Sequence, residues 1–159
     1  FKAVQFGSAG DIPVAADYDG DRRTDYAVYR PSNGVWYMLQ STKGFGAIQF
    51  GNDTDKPVVA DYDNDGKADQ AVYRAGTWYV MNSSKGLSVA QFGNAADSPV
   101  PADYDGDGKT DFAVYRDEKG AGMWYIMQSG GSGVTNAPSA PTLRAFQFGS
   151  ATDMPIQTP

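Results

Sequence analysis

The chain has 159 residues, a net charge of −6 and neither Cys nor His, which excludes thiol catalysis, zinc sites of the Cys/His type and His-based acid–base chemistry. Gly and Pro total 28, and Tyr, Phe and Trp total 21. Many turns and many aromatics point to an all-β protein of short strands, long enough for a domain with its own core. No stretch offers the ~18 consecutive apolar residues of a membrane span, and no signal peptide is visible, since Phe1 opens in what reads as a strand.

In chain order, residues 1–7 read as the terminal strand of a preceding unit, closing on Gln5-Phe6-Gly7. A first short strand is expected over 13–16, with Pro13 at its start, where no ladder donor is needed. An acidic loop over 17–25 follows. The second strand is expected at Tyr26–Arg30, the third at Val35–Gln40 and the fourth over 45–50, separated by the turn signals Pro31-Ser32-Asn33-Gly34 and Ser41-Thr42-Lys43-Gly44. The pattern then recurs. Gln-Phe-Gly returns at Gln49, Gln91 and Gln147, at intervals of 44, 42 and 56 residues. Asp-x-Pro-aliphatic follows each time, at Asp11, Asp55, Asp97 and Asp153. Ala-Val-Tyr-Arg closes at Arg30, Arg74 and Arg116, and Trp-Tyr recurs at Trp36, Trp78 and Trp124.

A period of ~20–50 residues marks a repeat architecture. The units fall at 8–50, 51–92 and 93–148, the last enlarged by a Gly/Ser/Pro/Ala-rich insertion over 130–141 that is expected to be a mobile surface loop. Residues 149–159 open a fourth unit that stops before its loop, where Gln157-Thr158-Pro159 stands. The second and third strands are apolar on both faces, as in Ala-Val-Tyr and Val-Trp-Tyr-Met-Leu, so each sheet expects cover on both sides. Four strands in such a unit, with a small-residue first strand for the crowded inside, fit a β-propeller-type array: three full blades plus partial blades at both ends. Three units leave two large apolar faces, to be covered by further blades, another copy or pairing of the terminal fragments.

The loops carry the chemistry. The first holds Asp17, Asp19, Asp21, Arg23 and Asp25 at positions 1, 3, 5, 7 and 9; the second Asp61, Asp63, Asp65, Lys67 and Asp69; the third Asp103, Asp105, Asp107, Lys109 and Asp111. These loops contain 12 of the 19 acidic residues, so the rest of the chain is net basic and three Ca²⁺ would bring the whole to about neutral. Calcium takes about six to eight hard oxygen ligands. Carboxylates at positions 1, 3 and 5 wrap one point, position 7 offers its backbone carbonyl, and position 9 closes the shell. The basic side chains of Arg23, Lys67 and Lys109 are then free to reach water. An EF-hand would need Glu at position 12 between helices, and that position is Val28, Val72 or Val114, in a strand. An all-oxygen set disfavours zinc and copper, and magnesium prefers a tighter octahedron. A solvated Asp-rich turn is the bland alternative. Recurrence of the same four positions in three copies weighs against it, as does repulsion among carboxylates packed this closely. Arg22 stands at position 6 of the first loop, where Gly suits a sharp turn, so weaker binding is expected there.

Phe-Gly before each unit, the Asp-x-Asp-x-Asp-Gly-x-x-Asp loop between its first two strands and the apolar strand behind it resemble the FG-GAP/VCBS repeat family, the integrin-α-like propeller repeats. The resemblance covers nearly the whole chain outside 130–141. It implies a β-propeller with calcium in these loops and an extracellular, commonly bacterial surface or secreted setting. It also implies adhesion or ligand binding, with a glycan or protein surface as ligand; the segment at Gln147 departs from the pattern, so no fourth metal site is carried over. The expected role is a non-enzymatic calcium-binding module for adhesion or for self-assembly into a ring, larger oligomer or filament. The alternative is a lectin using Trp36, Trp78, Trp124 and their neighbouring Tyr residues as sugar platforms, against the reading that these rings fill the core between blades. The Tyr-Arg pairs at 29–30, 73–74 and 115–116 are expected to be structural, each Arg capping a ring or meeting an Asp. Nucleic acid is not expected as a partner, since no basic stripe is present. An enzyme is disfavoured because the clustered aspartates are committed to metal and Glu118 stands alone on a turn.

Overall fold

The computed structural model describes residues 3–130, 143–150 and 152–155, which form strands, turns and loops and no helix. No helix long and apolar enough to cross a membrane is present among them. The first unit comprises β1 (Ile12–Pro13), β2 (Tyr26–Arg30), β3 (Val35–Gln40) and β4 (Gly44–Gln49). The second comprises β5 (Lys56–Pro57), β6 (Gln70–Arg74), β7 (Thr77–Asn82) and β8 (Gly86–Gln91). The third comprises β9 (Ser98–Pro99), β10 (Phe112–Glu118), β11 (Ala121–Met127) and β12 (Leu143–Ser150). Each unit is one four-stranded antiparallel meander in chain order. The register repeats: Tyr29 faces Trp36, Tyr73 faces Trp78 and Tyr115 faces Trp124.

The two central strands lie close to expectation and the flanking segments differ. β1 is only two residues long, because the chain must leave the ladder to form the acidic loop. It stays beside β2 through Val14 N–H donating to the Ala27 carbonyl at 3.0 Å and through the isolated bridge between Ala16 and Asp25. Residues 3–8 form no strand. Of the insertion at 130–141 only Gly130 lies within the described residues. β10 and β11 are longer than their counterparts and join through Lys119 (φ 55°) and Gly120 (φ 90°), a two-residue turn with both φ positive, which matches the twist of a hairpin.

Burial follows from the two-sided apolar pattern. Ala27, Val28 and Tyr29 are all buried, as are Ala71, Val72 and Tyr73. Trp36 and Trp78 have no exposed surface and pack with Tyr29 and Tyr73 at ring distances of 5.2 and 5.1 Å. The core is built between units. Trp36, Tyr18 and Met38 of the first unit share a cluster with Ala68 and Val72 of the second, and Trp78 and Val80 of the second share one with Val114 of the third.

Each unit also carries one charged clamp. Arg30, Arg74 and Arg116 grip Asp11, Asp55 and Asp97 with two hydrogen bonds each, between 2.6 and 2.9 Å. The same guanidinium groups lie over Tyr37, Tyr79 and Tyr125 at 4.4, 4.8 and 4.6 Å. Both readings of the Tyr-Arg pairs therefore hold together: the Arg meets an Asp and caps a ring. The Arg30 hydrogen bonds are the largest influence holding the Asp11 carboxyl below its ordinary range.

Burial of the paired Trp residues predicts a sharp contrast in stability. Trp78→Ala should cost about 3–5 kcal/mol through the cavity it opens. Phe45→Ala, at a ring 65% exposed on the outer strand, should stay within about 0.5 kcal/mol. Urea unfolding of the two variants checks this.

Candidate metal centre

Backbone hydrogen bonds close each acidic loop at its base. Asp25 N–H donates to the Ala16 carbonyl at 2.8 Å, and Asp69 and Asp111 repeat the bond to Ala60 and Ala102. Position 1 folds the loop over itself. Asp17 accepts from the amides of Gly20 at 2.7 Å and Arg22 at 2.6 Å; Asp61 accepts from Asn64 and Gly66, and Asp103 from Gly106 and Gly108. These are aspartate turns, in which the short carboxylate replaces the backbone partners that a tight loop cannot supply. Position 6 has positive φ in every copy: 82° at Gly66, 89° at Gly108 and 67° at Arg22. A non-glycine residue there costs about 1–2 kcal/mol, so the first loop carries the strain its sequence implied.

The turns bring positions 1, 3 and 9 together. Asp17, Asp19 and Asp25 each place a carboxylate oxygen within 4.8 Å of the others, and so do Asp61, Asp63 and Asp69, and Asp103, Asp105 and Asp111. Position 5 is not part of these groups: Asp21, Asp65 and Asp107 turn one oxygen to the amide of position 7, at 2.8, 2.9 and 2.7 Å. Position 7 thus uses its amide to hold position 5. Its side chains do not all extend into water, since Lys67 Nζ returns to 3.9 Å from Asp65.

A second ring of groups holds the carboxylates from the turn behind the third strand. Ser41, Ser83 and Ser129 donate their amides to position 9, each at 2.7 Å, and their hydroxyls to position 5. Thr42 donates its amide and hydroxyl to Asp19, and Ser84 its hydroxyl to Asp63. Gly130 stands at the corresponding place in the third copy, so Asp105 has no such hydroxyl. These residues were absent from the candidate set read from sequence. Their signal is a hydroxyl residue just after the third strand in each copy, which unequal hairpin lengths obscure.

The electrostatics divide the carboxylates. Hydrogen bonds from the Thr42 hydroxyl, the largest cause, and from its amide hold Asp19 below the ordinary carboxylate range. The Ser83 hydroxyl does the same for Asp65. Position 9 moves the other way: burial, reinforced by Asp63 and Asp61, pushes Asp69 up to about 6, and burial also raises Asp111. One feature tests whether a cation fits. Asp19 Oδ1 and Asp63 Oδ1 are buried and have no hydrogen-bond partner. Polar atoms left this way are rare in folded proteins, and here each lies in a converging set of hard anionic oxygens. The residues therefore fit a hard divalent cation.

Residues 17–72 match the family model of the FG-GAP-like repeat, a stretch running from the first acidic loop through most of β6. The match agrees with the resemblance carried by the loops. No curated protein and no solved structure matches the chain significantly.

Burial makes Asp69 hold its proton more firmly in the fold. The metal-free fold binds this proton more tightly than the unfolded chain, whose Asp titrates near ~3.9. The stability it contributes is full below about pH 4 and is lost as pH rises through about 6. A cation needs the carboxylate, so protons compete with it. Apparent calcium affinity at the second loop should fall up to about tenfold per pH unit below pH 6, and calorimetric titration from pH 7.5 to 5 checks this.

Proposed function

We propose that the chain is a calcium-binding, non-enzymatic β-propeller-type repeat module of the extracellular space, serving adhesion or self-assembly. One observation carries the metal reading: the unpartnered buried oxygens of Asp19 and Asp63, each surrounded by two further aspartates. Leaving such an oxygen unsatisfied costs about 1–3 kcal/mol or more. A cation removes that cost and the repulsion among the three charges together. Calcium suits an all-oxygen set that backbone carbonyls and water can complete, whereas magnesium asks for a tighter octahedron.

The residues that would hold calcium are positions 1, 3 and 9 of each loop, with position 5 and the carbonyls of Arg23, Lys67 and Lys109 as further donors. When bound, the ion supplies a fixed positive charge that cross-links the two ends of the loop. The protein's own groups do the rest. Asp17 and Asp61 also accept, through their backbone carbonyls, from Ala68 N–H at 2.7 Å and Thr110 N–H at 2.9 Å in the next unit. A rigid loop thereby fixes its neighbour, which is the work of a stiff modular array.

The extracellular setting is supported by the FG-GAP-like repeat match and by metal loops standing where small secreted domains use disulfides. The non-enzymatic reading is supported by the fate of the acids. The loop aspartates accept from loop amides and from the hydroxyls behind the third strand, and Glu118 is held by Tyr125 and Arg116. The lectin alternative loses two of its platforms, because Trp36 and Trp78 are sealed between units.

Calcium should raise the melting temperature strongly. A site with Kd ~100-fold below the free calcium concentration adds about 2.7 kcal/mol. Calorimetry should show binding approaching three ions per chain. An identical melting temperature in excess calcium and in excess chelator, with no heat of binding, would contradict the proposal.

A further inference from the structure

The turn behind the third strand meets the acidic loop of its own unit at two successive residues. The first, Ser41, Ser83 or Ser129, serves positions 5 and 9 in every copy. The second serves position 3 and acts on one oxygen only. Thr42 donates its amide at 2.9 Å and its hydroxyl at 2.5 Å to Asp19 Oδ2. Ser84 donates its hydroxyl to Asp63 Oδ2. In both copies these bonds fall on Oδ2 and leave Oδ1 aside.

That other oxygen is the one without a partner. Asp19 Oδ1 and Asp63 Oδ1 are buried and accept no hydrogen bond, and Asp63 as a whole is only 8% exposed. Both carboxylates stand among two further aspartates whose oxygens lie within 4.8 Å. The third copy supplies a contrast. Gly130 stands in place of Thr42 and Ser84, and Asp105 turns its Oδ1 to the Asp107 amide at 3.2 Å. The Asp107 amide is thus shared between Asp103 and Asp105, whereas the corresponding Asp65 amide donates to Asp61 at 3.3 Å. A carboxylate free to rotate about its side-chain bonds relieves a bare oxygen in this way, since an unsatisfied buried acceptor is costly. Held by Thr42 or Ser84, position 3 does not take that relief.

We propose that Thr42 and Ser84 are positioning residues for the cation of the first and second loops. Each fixes one oxygen of the position 3 carboxylate, so that the other stays bare beside the remaining aspartates. This rests on the calcium reading of the loops and deepens it. Groups behind a metal ligand orient it, and their loss weakens metal binding even though they never touch the ion. A hydroxyl that merely tied the turn to the loop would stabilise the chain equally with and without calcium. A positioning hydroxyl acts on affinity, and on its own loop alone. Either hydroxyl residue serves, since Thr fills the role in the first unit and Ser in the second.

Calcium titration of the 159-residue chain, followed by NMR at the amides of Gly20, Gly66 and Gly108, tests this. Each of these amides donates to the position 1 aspartate of its own loop, so the three loops are read separately. Ser84→Ala should raise the calcium midpoint at Gly66 about tenfold or more and leave those at Gly20 and Gly108 unchanged. Thr42→Ala should do the same at Gly20 alone. Ser84→Thr and Thr42→Ser should restore the original midpoints. Both residues are exposed, so truncation opens no cavity, and melting in chelator checks that each variant folds. Midpoints that do not move in either Ala variant overturn the positioning role and leave the calcium reading standing. Equal weakening of all three loops overturns it as well, by assigning the hydroxyls to the fold at large, and so does failure of the Thr and Ser exchanges to restore affinity. An unsubstituted chain whose three signals ignore calcium overturns the calcium reading itself, and the positioning role with it.

Discussion

The structure depends most on the buried aspartate at the ninth position of each loop. Asp25, Asp69 and Asp111 are 2%, 0% and 0% exposed, and each does three things with one side chain and one peptide. The amide pairs back to the first strand and closes the loop base. One carboxylate oxygen accepts from the amide of position 2, and the other from the Ser amide behind the third strand. The first strand, the loop and the turn between the third and fourth strands are thus tied to one residue. Burial makes the Asp69 and Asp111 carboxylates hard to ionise, and in every loop two more aspartates converge beside position 9. The fold therefore concentrates negative charge where it also concentrates its tertiary ties, and a hard cation would reconcile the two.

The consequence passes from unit to unit. The peptide carbonyl of position 1 receives the next loop's amide at position 8, and the residue after that loop reaches back to the preceding unit, Gln70 to the Met38 sulfur and Phe112 to the Tyr62 and Trp78 rings. Loop geometry and inter-unit packing are therefore one problem. The apolar interface between units fixes orientation through the Tyr–Trp pairs and their Phe or Val cover. The Arg–Asp–Tyr clamp fixes the linker that leads from one unit to the next. A repeat array whose stability sits in such nearest-neighbour terms gains from each added neighbour and exposes apolar surface wherever a neighbour is lacking.

Much of this was legible in the sequence, for a physical reason. A repeat shows the same solution several times, so Asp-x-Asp-x-Asp, Ala-Val-Tyr-Arg and Trp-Tyr stand out against varying surface residues. The two central strands of each unit, the burial of Trp36 and Trp78 and the clustering of Asp17 with Asp19 and Asp25 all follow from those patterns. What escaped notice depends on partners distant in sequence. Ser41, Ser83 and Ser129 lie 16, 14 and 18 residues from the carboxylates they hold, across hairpins of unequal length. Position 5 also leans toward the position 7 amide and these hydroxyls, ties that spacing alone does not reveal. The brevity of β1 was also hidden, because Pro13-Val14-Ala15-Ala16 has strand composition but gives up its ladder to start the loop.

The central claim is that an ion in each loop fixes the contact between neighbouring units. Hydrogen–deuterium exchange at the amides of Ala68 and Thr110, which bridge from one loop to the next, measures it directly. With calcium bound, both amides should be strongly protected, and chelator should release that protection together with protection in the adjoining loops. Equal protection in calcium and chelator would show that packing alone sets the unit contacts and would contradict the account.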